Sequence, residues 1–313
     1  MLRHSPYLRA VLQALFVTFL WSTSWVLIKI GLEDIPALTF AGLRYVLAFL
    51  VLLPFVLRPG QLDSVRQLTR RDWLGLAVLG LIYYAITPGT QFLGLDRLPA
   101  ITTSLLLSFS AVVIAVLGVI LLAETLTRRQ WSGIVIYLIG ALVYFYPVEI
   151  PTREVLGLII VLGGVLATSL ATVLGRGINR AARIPPLTVT VVSMGVGAIV
   201  LLIVGIATQG LPALSLQSWA IIGWLAVVNT ALTYTLWNHT QRTLSAAESG
   251  IINNTMLIQI ALLAWIFLGE SLTLREIGGL ALAALGTLIV QLRRRTPATV
   301  PVEEPAAVAA AES

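Results

Sequence analysis

Apolar residues along this chain come in long runs, separated by short joints that carry arginine, proline, glycine or acidic residues. A bilayer core about 30 Å thick takes roughly 20 apolar residues per spanning helix. Ten runs of about that length are expected to span: 11–31, 36–57, 73–94, 99–122, 131–147, 155–176, 186–208, 218–239, 246–268 and 275–292. Period-two alternation is absent from them, and lipid leaves only helices or closed barrels as ways to satisfy the backbone internally, so the predicted elements are helices. The expected fold is an all-α integral membrane protein with ten transmembrane helices.

The pattern also repeats. Sliding the chain on itself by 146 residues lays 73–143 over 219–289 without a gap. Ala-Glu-Thr-Leu-Thr-Arg-Arg-Gln (123–130) falls on Gly-Glu-Ser-Leu-Thr-Leu-Arg-Glu (269–276), Gly133 on Gly279 and Gly140 on Gly286. Five helices per copy is an odd number, so the second copy enters the membrane upside down: two inverted five-helix repeats, 1–150 and 151–293. Residues 294–313 are rich in Pro, Ala and Glu and are expected to form a disordered cytoplasmic tail.

Composition agrees with the pattern: of 313 residues 58% are apolar and 11% charged, with a mean hydropathy of +0.95. With no cysteine there is no disulfide framework, thiol nucleophile or Cys metal site. The net charge of +6 is spread over helix ends and forms no patch for nucleic acid. If the N-terminus is cytoplasmic, 15 of the 20 basic residues fall in cytoplasmic segments, leaving Lys29, Arg97, Arg153 and Arg275 near the other side and Arg44 inside a helix. That lopsidedness predicts a multi-pass protein of the plasma or inner membrane with both termini in the cytoplasm. The first run, after Arg3, His4 and Arg9, lacks a small-x-small cleavage site and is expected to stay as the first helix.

Several features point to one family. They are Trp21-x-x-x-Trp25 with Lys29 behind it and Pro36 and Arg44 beyond, the stretch Ala231-Leu232-Thr233-Tyr234-Thr235-Leu236-Trp237, and the twice-repeated Glu-x-Leu-Thr. Over about residues 10–292 the chain resembles the EamA-type permeases of the drug/metabolite transporter superfamily. The resemblance implies a ten-helix carrier that alternates between inward and outward states, commonly an exporter of amino acids or other small metabolites. Many such permeases have a proline about 13 residues before the repeated Glu; here those positions are Ala111 and Leu257.

Polar and aromatic side chains at the estimated midplane are the substrate-cavity candidates. They are Trp21 and Trp25 in the first stretch, Tyr83 and Tyr84 in the third, and Ser108 in the fourth. Thr168 and Thr172 follow in the sixth, Asn229 and Tyr234 in the eighth, and Asn253 and Asn254 in the ninth. Two successive buried asparagines need hydrogen-bond partners, from a wet cavity or from another helix. Asn254 aligns with Ser108 across the repeat. Helix-to-helix hydrogen bonding is the ordinary alternative for each Ser and Thr. Pro88-Gly89 is expected to interrupt the third helix and free backbone groups.

Charged candidates carry two readings each. Thr18, Ser22, Trp25 and Lys29 make one polar stripe that must face protein or water, so Lys29 lines a cavity, or else snorkels or pairs with Glu33. Arg44, eight residues beyond Pro36, cannot face lipid cheaply; it clamps carbonyls or an acidic neighbour, or it attracts an anionic substrate. Glu124 and Glu270 sit beside the capping boxes Thr127-x-x-Gln130 and Thr273-x-x-Glu276 and are read first as structural turn residues that bind nearby backbone donors. Proton coupling is their other reading, and also that of Glu248 near His239.

The chain has no Gly-Lys-Ser/Thr phosphate loop, no Gly-x-Ser-x-Gly elbow and no His-Glu-x-x-His pair. The expectation is a non-enzymatic, gradient-driven or downhill carrier of small molecules with no cofactor or metal, with protons as the candidate coupling ion. The competing readings are a lipid-handling flippase and a non-transporting receptor or structural subunit.

Overall fold

The computed structural model describes residues 6–59, 61–122, 127–147, 151–180, 183–240, 243–244 and 246–291. Among them there is no strand. The helices are α1 (Pro6–Gly31), α2 (Ala37–Val56), α3 (Gln61–Arg66), α4 (Arg70–Gly80), α5 (Thr87–Arg97), α6 (Ala100–Ser108) and α7 (Ser110–Leu122). The chain continues through α8 (Arg128–Phe145), α9 (Thr152–Arg180), α10 (Pro186–Gln209), α11 (Leu216–Ala226), α12 (Thr233–Thr240), α13 (Ala246–Leu268) and α14 (Leu274–Gln291). A π-helical turn, Leu81–Ile86, joins α4 to α5, and a second, Val227–Leu232, joins α11 to α12. Among the described residues, five helical stretches are long and apolar enough to cross a membrane: Tyr7–Gly31, Ala37–Val56, Arg70–Arg97, Glu154–Gly175 and Pro186–Gln209.

Each expected run falls on a helix, but not always on an unbroken one. The third is continuous through Pro88-Gly89, and its irregularity lies one turn earlier, in Leu81–Ile86. Pro88 has no N–H for the carbonyl of Tyr84 and its ring would crowd that carbonyl, so the backbone widens there and Pro88 starts the next α-helical piece. The fourth breaks at Phe109, two residues before Ala111, whereas α13 runs straight through Leu257.

Sequence signals set most helix ends. Pro36, Pro99 and Pro185 precede α2, α6 and α10, where a missing N–H costs nothing. Thr127 caps α8 in a reciprocal box with Gln130, and Thr273 exchanges the same bonds with Glu276. Gly210 closes α10 at φ 78°, a left-handed conformation that suits a residue without Cβ.

Glycine sets a close helix crossing. In the antiparallel pair α8 and α14, a Cβ on Gly279 would lie 2.6 Å from the Tyr144 nitrogen and 2.7 Å from the Gly140 oxygen. A Cβ on Gly133 would lie 2.9 Å from the Gly286 oxygen. Gly133 therefore meets Gly286, and Gly140 meets Gly279. Shifted by 146 residues, each contact becomes the other, as a two-fold axis perpendicular to antiparallel helices requires. Small residues let the two backbones approach where lipid supplies no hydrophobic drive between helices. The apolar centre beside this crossing includes Phe40 packed edge-on to Phe92 at 5.1 Å, with Ile35, Ile101, Leu105 and Leu225.

Candidate functional site

The polar stripe of α1 faces protein. Ser22 donates to Oε1 of Gln259 on α13 at 2.9 Å, and Gln259 Nε2 reaches Thr18 at 3.4 Å and Thr255 at 3.0 Å. Trp25 is buried in the core. Lys29 Nζ donates to the carbonyls of Leu95 and, at 2.8 Å, Leu98, so its charge sits on the orphan carbonyls at the end of α5. Glu33 takes no part in it.

The second π-turn is the meeting point of α1 and α2. Asn229, fully buried, donates through Nδ2 to the Leu20 carbonyl and to Thr23 Oγ1 at 3.2 Å, while its Oδ1 is left without a donor. The next residue, Thr230, turns to α2 and accepts from Arg44 Nε at 3.2 Å. Its hydroxyl donates five residues back to the Leu225 carbonyl at 2.8 Å, a bond that the widened turn makes available. Thr233 accepts from Trp21 Nε1 at 2.9 Å, and the Trp21 ring lies 5.2 Å from that of Trp237. The first π-turn carries Tyr83 and Tyr84, 4.9 Å apart, with Tyr84 6.1 Å from Tyr45 on α2.

Other candidates turn elsewhere. Ser108 donates to the Leu105 carbonyl at 2.6 Å and to Tyr137 of α8 at 3.3 Å, and Asn254 Nδ2 donates to Ala284 of α14 at 2.7 Å. Both aligned positions thus bond to the helix that closes their own half of the chain, and Asn254 is not joined to Asn229. Thr172 bonds within its own helix, to the Thr168 carbonyl at 2.7 Å. Asn253 shares a face of α13 with Leu257, Ile260 and Ala264, which are buried, yet is itself exposed. Glu124 and the side chains of Tyr234, His239 and Glu248 lie outside the described residues.

Glu270 binds backbone donors, but distant ones: its two oxygens accept from the amides of Ala100 at 2.6 Å and Ile101 at 3.0 Å, capping α6 from across the molecule. It also borders a cleft of about 370 Å³ with Thr102, Tyr144, Glu154, Arg275 and Glu276, at the molecular end where Lys29 lies. Gln259, Thr230 and Tyr137 are not among the sequence candidates, and Thr233 and Trp237 enter only through the stretch that carries the family resemblance; a mid-helix glutamine and the Asn-Thr pair in an apolar run are the available signals.

The π-turns recur 146 residues apart, and the sequence profile of the EamA-like transporter family likewise matches twice, over residues 8–146 and 155–292. The chain belongs to the EamA-like transporter family. It is accordingly a multi-pass membrane protein. Its relatives include the uncharacterized transporter YvbV of Bacillus subtilis, 25% identical over 305 residues that cover 94% of this chain and 95% of that one. An S-adenosylmethionine/S-adenosylhomocysteine transporter of Chlamydia trachomatis is 26% identical over 81% of this chain and 80% of its own. A probable amino-acid metabolite efflux pump of Salmonella typhimurium is 32% identical over 42% of this chain and 40% of its own. A solved crystal structure superposes with a TM-score of 0.66 over 90% of this chain and 97% of that one at 18% identity, showing a shared fold.

Proposed function

We propose that this EamA-family chain is a secondary transporter that moves small amphipathic metabolites, amino acids among them, outward across the cytoplasmic membrane by alternating access. The observation that carries the reading is the pair of π-turns at equivalent places in the two family matches. Such turns concentrate at functional sites. These two set aromatic and amide side chains around the middle of the bundle, as small-molecule pockets require.

The topology that fits is two opposed halves of five helices, 1–150 and 151–293, with both termini cytoplasmic, as the arginine distribution favours. In that frame Lys29 and Glu270 lie at the outer end, where each ties a neighbouring helix end. Asn253 faces a cytoplasmic opening, an arrangement proper to an inward-facing state. The flippase reading loses Lys29 as a headgroup cation, because two carbonyls hold its ammonium.

Protein in sealed liposomes, offered amino acids, nucleosides and organic cations with and without a pH gradient, should catalyse flux of at least one class. Flux of none would overturn the proposal. Flux indifferent to the gradient would remove protons as the coupling ion.

A further inference from the structure

Arg44 is the one charged side chain among the described residues that is buried, at 6% exposure. It is the eighth residue of α2, about 10 Å along the helix from its start at 1.5 Å per residue. Its only hydrogen bond among the described residues runs from Nε to Thr230, and the guanidinium carbon stands 5.4 Å from the Tyr45 ring. Among the described residues, neither terminal nitrogen donates to any group and no carboxylate comes within ion-pair distance.

Nor do the described residues supply one at that depth. Asp63, Asp72, Glu154, Glu248 and Glu276 are each the third residue of a helix, Asp96 is the last but one of α5, and Glu33, Asp34 and Glu270 lie between helices. An unpaired buried cation is costly, and an ionisable residue kept inside a membrane marks a substrate or ion pathway. Thr230 holds the guanidinium by one edge and leaves the opposite edge, with its two parallel N–H vectors, to a partner. A planar carboxylate fits that fork. One cation neutralises one negative charge, so a phosphate dianion would remain half unpaired. The neighbouring rings of Tyr45, Tyr84 and Tyr83 offer an apolar surface to the rest of such a molecule.

We propose that Arg44 is the anion anchor of the substrate site, oriented by Thr230, and that the solutes carried bear a single carboxylate. The inference rests on the carrier reading above and narrows its substrate class.

The test compares wild type with Arg44→Met and Arg44→Lys by thermal unfolding in detergent. Each protein is measured alone and with N-acetyl-leucine, N-acetyl-phenylalanine or phenylbutyrate, and with their primary amides. Without ligand, Arg44→Met should unfold at or above the wild-type temperature, since it removes an uncompensated charge. Acids should raise the wild-type unfolding temperature and amides should not; the difference should vanish in Arg44→Met and partly survive in Arg44→Lys. In liposomes the acid-to-amide flux ratio should fall by about tenfold or more in Arg44→Met.

A clear loss of unliganded stability in Arg44→Met would make Arg44 a structural clamp and overturn the proposal. So would amides that match the acids on wild type, or a wild type that no acid stabilises. Acid-selective stabilisation without flux of any solute would instead overturn the carrier reading and leave the anchor standing.

Discussion

Glu270, in the turn between α13 and α14, holds the amide of Ala100 at 2.6 Å and so caps a helix 170 residues away in sequence. The bond joins the two halves of the chain at the end where Lys29 closes off α5. Glu270→Ala should lower stability by about 1–2 kcal/mol, the usual worth of a charged cap, and Glu270→Gln, which keeps one acceptor, by roughly half as much. Thermal unfolding of the purified variants checks this. If Glu270→Gln keeps full stability but loses its response to a pH gradient, the residue is a proton-coupling group and the capping account is wrong.

Gly140 and Gly279 bring α8 and α14 together backbone to backbone. Leucine at either position forces the helices apart and should cost about 2–3 kcal/mol through overpacking. Gly163 has open space around it, so Gly163→Ala should leave stability equal or raise it by about 0.5–1 kcal/mol. Unfolding temperatures of the three variants decide; equal effects at Gly140 and Gly163 would contradict the crossing.

Trp21 and Thr233 should be coupled. Trp21→Phe and Thr233→Val each remove the same hydrogen bond, so the double variant should lose less than the sum, with a coupling energy of about 1 kcal/mol in a double-mutant cycle. Additive losses would mean that the bond does not form in the membrane.

Because the chain has no cysteine, Asn253→Cys gives a single thiol at an exposed position of α13. A membrane-impermeant maleimide should label it in inside-out vesicles and not from the outer side. Labelling from the outer side alone would reverse the proposed topology.

The sequence reaches local relationships and stops at distant ones. Hydropathy locates the helices because lipid imposes length and apolarity on each separately. The boxes at Thr127 and Thr273 are legible for a similar reason, since both partners lie within one turn. The 146-residue register is visible because the same short motifs occur twice. Lys29 illustrates the limit. Its stripe shows that it must avoid lipid, but no spacing rule shows that Leu95 and Leu98 will present carbonyls to it. The π-turns were equally hidden. Pro88 signals the first from its C-terminal side, but the second has no proline and shows itself only once Thr230 is seen donating five residues back. Asn254 and Asn229 look alike in sequence, yet the partner helix separates their roles.

The carrier claim itself is tested most directly by counterflow. Liposomes holding the protein and loaded with an unlabelled solute from the transported class should take up the labelled solute transiently above its equilibrium level, because one site exchanges between two faces. Uptake that only rises to equilibrium at a rate indifferent to the internal solute, or no protein-dependent uptake at all, would contradict alternating access.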